Sequence, residues 1–186
     1  MGLFSFGSKK GKVRKMIEEE RMGEIIESAL KDRKVVEALI ELLDDNVMGI
    51  RGDALLLLSE VISRDSKTLR GKVDSSFVSK LFALVSSKNP YVRENAMVFL
   101  KALLESGMSV PKEAVLRGAV ELVESGDKNQ KAFGLIMLKA VNGREAIESV
   151  RPLIEVQDKV ILPFEGYKWV PLGEIARDVM NSLGGE

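Results

Sequence analysis

The chain has 186 residues, of which 45% are hydrophobic and 30% are charged, a balance typical of a globular domain with a sizeable core. Its 28 Lys and Arg residues equal its 28 Asp and Glu residues, so the composition as a whole favours neither nucleic acid nor an anionic membrane as a partner. It contains neither Cys nor His, which excludes thiolate nucleophiles, disulfides, imidazole bases and the usual zinc sites. We therefore expect no cofactor and no metal. Abundant Lys, Glu and Arg with only two Gln residues favours a thermophilic source.

Residues 1–12 are predicted to form a flexible N-terminal tail that precedes a single domain at residues 13–186. The tail lacks the apolar stretch and cleavage site of a signal peptide, and no run in the chain approaches the ~20 apolar residues of a membrane helix. We therefore expect a cytoplasmic protein. Leu3, Phe4 and Phe6, which precede a cluster of lysines, allow a second interpretation in which the tail touches a membrane surface.

The first predicted helix runs from about Val13 to Leu30. Its apolar residues recur at helical spacing, and the glutamates at positions 18–20 are expected to lie on its solvated side. We interpret this helix as a cap on a stack of helices. The apolar stripe consists of Met22, Ile25, Ile26 and Ala29.

Three helix pairs follow, each joined by a short polar turn. Asp32 is a predicted N-cap for the first helix of the first pair. In the second pair, the first helix starts near Asp74, and Pro90 opens the second helix, where its missing N–H is not needed. In the third pair, Pro111 opens the first helix, and the second helix ends near residues 142–143.

Equivalent positions recur along the second helices of these pairs. A small residue is followed four positions later by a large apolar residue, and the small residues are separated by 42 and then 38 residues. The small residue lets two helix backbones approach, and the large one fills the space between neighbouring pairs. A fourth, weaker copy places Ala176 and Met180 at these positions. The first three copies are Ala54 with Leu58, Ala96 with Leu100, and Gly134 with Leu138.

The segments around Arg51 and Arg93 resemble the second-helix signature of HEAT repeats, Asp-Pro-x-x-x-Val-Arg-x-x-Ala. Asp45 and Arg51 keep the Asp–Arg pair of that signature, whereas Ser87 and Ser125 replace the Asp in the later copies, which would break the ladder of such pairs. The resemblance covers residues 32–183 and includes the armadillo-like and PBS-lyase HEAT-like proteins.

This resemblance implies an all-α fold, a right-handed α–α superhelix of about four helix pairs with an N-terminal capping helix. Proteins built in this way include adaptors, transport factors, bilin-lyase-like proteins and one class of DNA glycosylases. The resemblance therefore points to an architecture and leaves the function open.

Residues 159–172 interrupt the fourth pair and predict an inserted β-hairpin. The segment is rich in β-branched and aromatic residues, while its two prolines block a helix. A two-residue turn at residues 165–166 would place Phe164 opposite Tyr167 and Leu162 opposite Trp169 on one side, with Ile161 paired to Val170 on the other. The aromatics Phe164, Tyr167 and Trp169 would form either a partner-binding arm or a flap over the core of the last repeat.

A basic ladder is the second candidate site. Its six members are Arg51, Arg93, Lys101, Lys131, Lys139 and Arg177. Members eight residues apart share a helix face, so the ladder would suit an acidic peptide or a phosphate backbone. Alternatively, Arg51, Arg93 and Lys131 satisfy turn carbonyls or a carboxylate inside their own repeats, and the other three belong to a solvated surface.

The expected function is a non-catalytic scaffold that binds a protein partner on the second-helix face, which is concave in such superhelices, and through the hairpin. One alternative is a nucleic-acid-binding solenoid that uses the basic ladder, although the balanced charge opposes it. Another is an accessory factor to an enzyme. Catalysis itself is not expected, because the sequence shows no motif for it.

Overall fold

The structure is a computed structural model that describes residues 7–184, so Leu3, Phe4 and Phe6 of the predicted membrane contact lie outside the described residues. The described chain is all-α apart from one two-stranded antiparallel hairpin, and none of its helices is long and apolar enough to cross a membrane. Its α-helices are α1 (Lys9–Glu18), α2 (Met22–Ala29), α3 (Arg33–Leu42), α4 (Met48–Arg64), α5 (Ser75–Val85), α6 (Pro90–Glu105), α7 (Lys112–Ser125), α8 (Lys128–Ala140), α9 (Ile147–Val150) and α10 (Leu172–Leu183). The strands are β1 (Lys159–Ile161) and β2 (Lys168–Pro171).

The predicted N-terminal helix is broken in two, and it begins at Lys9 rather than at residue 13. Glu20, between α1 and α2, has a φ of 57°, in the left-handed region that ends a helix. Neither Gly nor Pro occurs at residues 18–22, so the local sequence does not predict the end of a helix there. The break allows α2 to pack against α3 and α4 while α1 packs against α3. The single helix expected over residues 13–30 was therefore wrong.

The helix starts of the three pairs are confirmed. Asp32 accepts a hydrogen bond from the backbone N–H of Lys34 at 2.9 Å, and Asp74 accepts one from Phe77 at 2.8 Å. Pro90 occupies the first turn of α6, and the residue before α7 is a proline, as predicted. These starts follow from short-range chemistry, because a side-chain oxygen satisfies an N–H group that the helix cannot.

Helices of one pair pack together, and neighbouring pairs also contact each other. Within pairs, α3 packs on α4, α5 on α6 and α7 on α8; between pairs, α4 packs along α6, α5 against α7, and α8 against α10. A single hydrophobic core joins them. The small residues Ala54, Ala96, Gly134 and Ala176 are all buried in it.

The close approach predicted at the small residues is confirmed at Gly134. A Cβ atom on this glycine would lie 2.8 Å from the carbonyl oxygen of Ala119 and 3.0 Å from a methyl group of Val123, both on α7. The two backbones therefore meet where the sequence places its smallest residue. A similar contact recurs in the fourth pair, where a Cβ on Gly173 would lie 2.5 Å from the carbonyl oxygen of Ile154.

The hairpin exists, but its predicted register was wrong. Val160 pairs with Val170 and Ile161 with Lys168, so Trp169 is an extra, unpaired residue that forms a β-bulge. The strands are joined by a four-residue loop over 163–166, closed by a hydrogen bond of 2.9 Å from the N–H of Leu162 to the carbonyl of Tyr167. The expected two-residue turn and the Ile161–Val170 pair are therefore absent. Simple alternation cannot foresee a bulge, because one extra residue reverses the side to which later side chains point.

We predict that Gly134→Ala lowers the free energy of unfolding by about 1–3 kcal/mol, because the added methyl group meets the α7 backbone. Gly23→Ala in α2 is the matched control, since no heavy atom lies within 4 Å of its Cβ position. That variant should be neutral or gain up to about 1 kcal/mol through helix propensity. Urea unfolding followed by circular dichroism measures both variants. A Gly134→Ala protein as stable as the wild type would contradict the close contact.

Candidate partner-binding site

Four cations of the predicted ladder bind backbone carbonyls near the end of the first helix of their own pair. The hydrogen bonds run from Arg51 to Asp45, from Arg93 to Ser87 at 3.5 Å, from Lys131 to Val123 and Glu124 at 2.9 and 3.1 Å, and from Arg177 to Ile154. Val123 and Glu124 belong to the last turn of α7, whose carbonyls have no partner within the helix and carry its negative dipole end, whereas Asp45 and Ser87 lie in the turns that follow α3 and α5. The alternative interpretation of Arg51, Arg93 and Lys131, in which they satisfy nearby backbone carbonyls, is confirmed.

Arg177 performs the same task from a different position. It lies four residues, about one helical turn, beyond the position equivalent to Lys131. At the equivalent position stands Gly173, whose backbone itself approaches the carbonyl of Ile154. The guanidinium therefore reaches back along α10 to that same carbonyl, and it also lies 3.8 Å from the carboxylate of Glu155.

The side chain of Asp45 does not pair with Arg51, so the Asp–Arg pair expected from the repeat signature was wrong. Its carboxylate accepts a hydrogen bond from the N–H of Val47 and another from the Nε of Arg14, each at 2.9 Å. Only 8% of Asp45 is exposed. Burial by itself raises the pKa of this carboxyl group, but the bonds from Val47 and Arg14 outweigh it, so the pKa lies below its ordinary value. Asp45 therefore ties α1 to the turn between α3 and α4.

The remaining two ladder cations are also engaged within the chain. Lys101 forms an ion pair with Glu105 and lies 5.5 Å above the ring centre of Phe164 in the hairpin. Lys139 bridges from α8 to Asp178 of α10 at 2.7 Å. All six side chains of the ladder thus have intramolecular partners, and a ligand that bound them would have to compete with those partners.

The inner side of the hairpin covers α8. Val160 and Leu162 are almost completely buried, and the ring of Phe164 stacks on that of the buried Phe133 with 6.1 Å between centroids. The N–H of Ile161 donates to the side-chain oxygen of Asn129 at 2.9 Å. The flap interpretation therefore holds for this side of the hairpin.

The three hairpin aromatics do not share one side, contrary to the prediction. Phe164 faces the core, Tyr167 is half-buried against it, and Trp169 has 67% of its surface exposed. The bulge is the cause, since Trp169 adopts a φ of 63° and leaves the strand alternation. Trp169 is the most exposed of the large hydrophobic side chains in residues 7–184.

A second exposed apolar surface was missed by the sequence analysis. We call it the α4–α6 patch, and it consists of Val47, Met48, Leu56 and Tyr91, which are 48%, 38%, 47% and 44% exposed. A signal for it existed, because helical spacing must turn one residue of the run Leu55–Leu58 away from the core. The sequence pattern assigned a role only to Leu58 of that run, in the space between neighbouring helix pairs.

Tyr91 joins the two helices of this patch. Its ring lies 2.2 Å from the position that a Cβ on Gly52 would occupy, so only glycine fits beneath it. Its hydroxyl donates to the carboxylate of Asp53 at 2.6 Å. Burial, together with that carboxylate, raises the pKa of Tyr91 to about 12, so the phenol stays protonated and remains a donor at neutral pH.

No cluster of metal-ligating side chains is present in the part of the chain that the structure describes. Residues 7–184 contain no group of three or more carboxylates placed to hold an ion. Many carboxylates lie instead beside cations, as in the pairs Arg21–Glu24 and Lys72–Glu37, both at 2.7 Å.

Comparison with known proteins finds similar folds among engineered proteins. A crystal structure of an engineered protein, a target of the Northeast Structural Genomics Consortium, has a TM-score of 0.58 and 17% identity over 96% of this chain and 80% of that chain. A second engineered target of the same consortium has a TM-score of 0.55 and 17% identity over 90% of this chain and 44% of that one. At such identity the likeness concerns the fold alone. No protein-family model and no curated protein matches the chain.

We predict that Asp45→Asn lowers the free energy of unfolding at pH 7 by about 1–2 kcal/mol, because Arg14 loses a charge-assisted hydrogen bond. A carboxyl group whose pKa is lower in the folded state stabilises the fold above its unfolded pKa of about 4, and this contribution disappears as the pH falls through the folded value. The difference between wild type and Asp45→Asn should therefore shrink below about pH 4. Urea unfolding between pH 2.5 and 7 measures it, with the exposed Glu121→Gln as control. A difference that stays constant down to pH 2.5 would refute the assignment.

Proposed function

We propose that this chain is a HEAT-like α-solenoid that works as a non-catalytic scaffold and binds a protein partner. The observation that carries the proposal is Trp169, a large exposed side chain on a hairpin whose other side is anchored in the core. Trp is among the residues that contribute most to protein interfaces.

Two repeated features support the solenoid. A cation from each of α4, α6, α8 and α10 binds a carbonyl in the turn before that helix or in the last turn of the preceding helix. A buried small residue follows the cation by three positions in the first three pairs, at Ala54, Ala96 and Gly134. Repetition of the same turn contact and the same crossing residue is what a stack of equivalent units requires.

The backbone at Trp169 is held in place by the rest of the hairpin. A left-handed φ is unfavourable for a bulky residue, by about 1–2 kcal/mol, so the surrounding contacts must hold it there. Those contacts include the stack of Phe164 on Phe133 and the hydrogen bond from Leu172 N–H to the carbonyl of Asp158 at 2.9 Å. The backbone that carries the indole is therefore positioned before a partner binds, which lowers the ordering cost of binding.

The nucleic-acid alternative has less support. The six cations that motivated it are engaged within the chain, and the net charge is zero. Phosphate binding would have to displace their carbonyl and carboxylate partners. An accessory role beside an enzyme is compatible with the scaffold, because the accessory factor would itself bind a protein.

We predict that Trp169→Ala abolishes capture of the partner from extracts of the source organism while changing the free energy of unfolding by less than about 0.5 kcal/mol. The matched variant Phe164→Ala, on the inner side of the same hairpin, should instead lose about 2–4 kcal/mol of stability. Lys168→Ala, which removes another exposed side chain of the same strand, is the control and should retain capture. Quantitative comparison of captured proteins and urea unfolding measure the two effects. Retained capture with a large loss of stability in Trp169→Ala would make the hairpin only a cover for the core.

Because Trp169 is the sole tryptophan, its fluorescence reports on the same site. The free protein should show the red-shifted emission and strong acrylamide quenching of a water-exposed indole. Addition of the captured partner should shift the emission to the blue and protect it from quenching. An unshifted spectrum at saturating partner would place the contact elsewhere.

We also predict no salt-dependent binding of a random-sequence DNA or RNA duplex. Filter binding between 20 and 200 mM salt tests this, because phosphate contacts made by several cations give a steep loss of affinity with salt. Retention at low salt that falls steeply over this range would favour the nucleic-acid alternative over the scaffold.

A further inference from the structure

A hollow of about 340 Å³ lies at the N-terminal end of the stack, where α1, α2 and the start of α3 meet. All three helices contribute to its apolar lining, since Val13 and Met16 belong to α1, Ile25 to α2 and Val35 to α3. Because these four residues line one hollow, their apolar groups are neighbours on a single concave surface. We call it the α1–α3 hollow. Its volume is at the lower end of the range for ligand pockets, which suits one large apolar side chain.

Lysines form the rim of this hollow. Lys9, Lys12 and Lys31 line it, and Asp32 is the carboxylate among its lining residues. Asp32 forms an ion pair with Lys9 at 2.8 Å, whereas Lys12 and Lys31 are exposed and form no ion pair with residues 7–184. Three ammonium groups against one carboxylate leave the lining net positive even when every charge is counted.

The positive charge extends beyond the lining itself. Residues 9–15 contain five Lys and Arg residues and residues 31–34 contain three more, against Asp32 as the one acidic residue of the two ranges. The glutamates at positions 18–20 lie at or beyond the C-terminal end of α1, so the acidic and basic charges of this segment are separated along the helix. The N-terminal end of α1 therefore attracts acidic groups and repels basic ones.

From the apolar floor and the cationic rim, we propose that the α1–α3 hollow binds an acidic segment of a partner protein through one large apolar anchor side chain. The anchor would enter between Val13, Met16 and Ile25, and carboxylates on either side of it would meet Lys12 and Lys31. A buried anchor within a polar border is how many protein interfaces obtain most of their binding energy. This inference rests on the proposed scaffold function and names the kind of segment that the scaffold binds.

The apolar floor distinguishes this site from a purely electrostatic one. Phosphate backbones are bound by rows of cations and hydrogen-bond donors, and such binding needs no apolar cavity. A segment that has both an apolar anchor and carboxylates matches the floor and the rim together. The one lining group that would oppose it, Asp32, is paired with Lys9.

A labelled 13-residue peptide with one central Leu among Glu, Gly and Ser residues tests the proposal. Two matched peptides each change one feature, since Ser replaces the Leu in the first and Lys replaces every Glu in the second. Fluorescence anisotropy with the full chain should give the Leu–Glu peptide a Kd on the order of 100 µM. The Ser peptide should bind at least about fivefold more weakly and the Lys peptide at least about tenfold more weakly.

Variants locate the binding at the hollow. Lys12→Glu and Lys31→Glu should each weaken binding of the Leu–Glu peptide about threefold to tenfold, because each replaces an attraction by a repulsion. Lys88→Glu is the matched control, since Lys88 is another exposed lysine, in the turn between α5 and α6, and this change should alter the affinity less than about twofold. Circular dichroism and urea unfolding establish that each variant is folded.

Equal binding of the Leu and Ser peptides, or unchanged affinity in either of Lys12→Glu and Lys31→Glu, would overturn the proposal. So would a single-stranded DNA of equal charge that binds through these lysines as tightly as the Leu–Glu peptide, since the site would then serve a phosphate backbone. At least tenfold tighter peptide binding after Leu3, Phe4 and Phe6 are all replaced by Ser would also overturn it, because the chain's own N-terminal segment would then occupy the hollow.

The scaffold function is judged separately by Trp169→Ala. Loss of capture in Trp169→Ala without binding of the Leu–Glu peptide would remove only this inference. Binding of the Leu–Glu peptide at the hollow with unchanged capture in Trp169→Ala would support the inference and remove the hairpin from the proposed function.

Discussion

The rest of the structure depends on one contact at the turn of each helix pair, where a basic side chain binds a backbone carbonyl. Carbonyls in the last turn of the first helix or in the turn after it lack a helical partner, and a basic side chain from the second helix supplies the hydrogen bond. This contact fixes how the second helix leaves the turn. In three pairs a buried small residue follows the basic residue by three positions. At Gly134 the crossing is so close that a single methyl group would collide with the α7 backbone.

The same contact decides which side chains remain for recognition. The ladder cations are turned toward carbonyls or carboxylates, so each side chain already has a partner inside the fold. The exposed surface is then distinguished by apolar side chains, namely Trp169 on the hairpin and the α4–α6 patch. A protein partner suits such surfaces better than a phosphate backbone does, since phosphate recognition needs cations that are free to move to it.

One side of the hairpin packs against the core and the other side is exposed to solvent. Its inner residues cover α8, and Lys101 reaches over Phe164 from α6, so the hairpin is held by two helices of different pairs. The bulge turns Trp169 outward without loosening the inner contacts. An isolated ribbon of this length would be marginal in water, and the contacts with α6 and α8 stabilise it.

Local chemistry in the sequence determined the helical class, the starts of the helix pairs and the positions of small residues. Asp32, Asp74 and Pro90 act within a few residues of themselves, and the spacing of apolar residues is visible without a fold. Only the tertiary structure decided the break at Glu20, the partner of the Asp45 carboxylate and the exposure of Leu56. The bulge at Trp169 belongs with these, because strand alternation alone does not predict the extra residue that accompanies the burial of Leu162. Each of these features depends on which distant surface lies opposite, and a linear pattern does not contain that information.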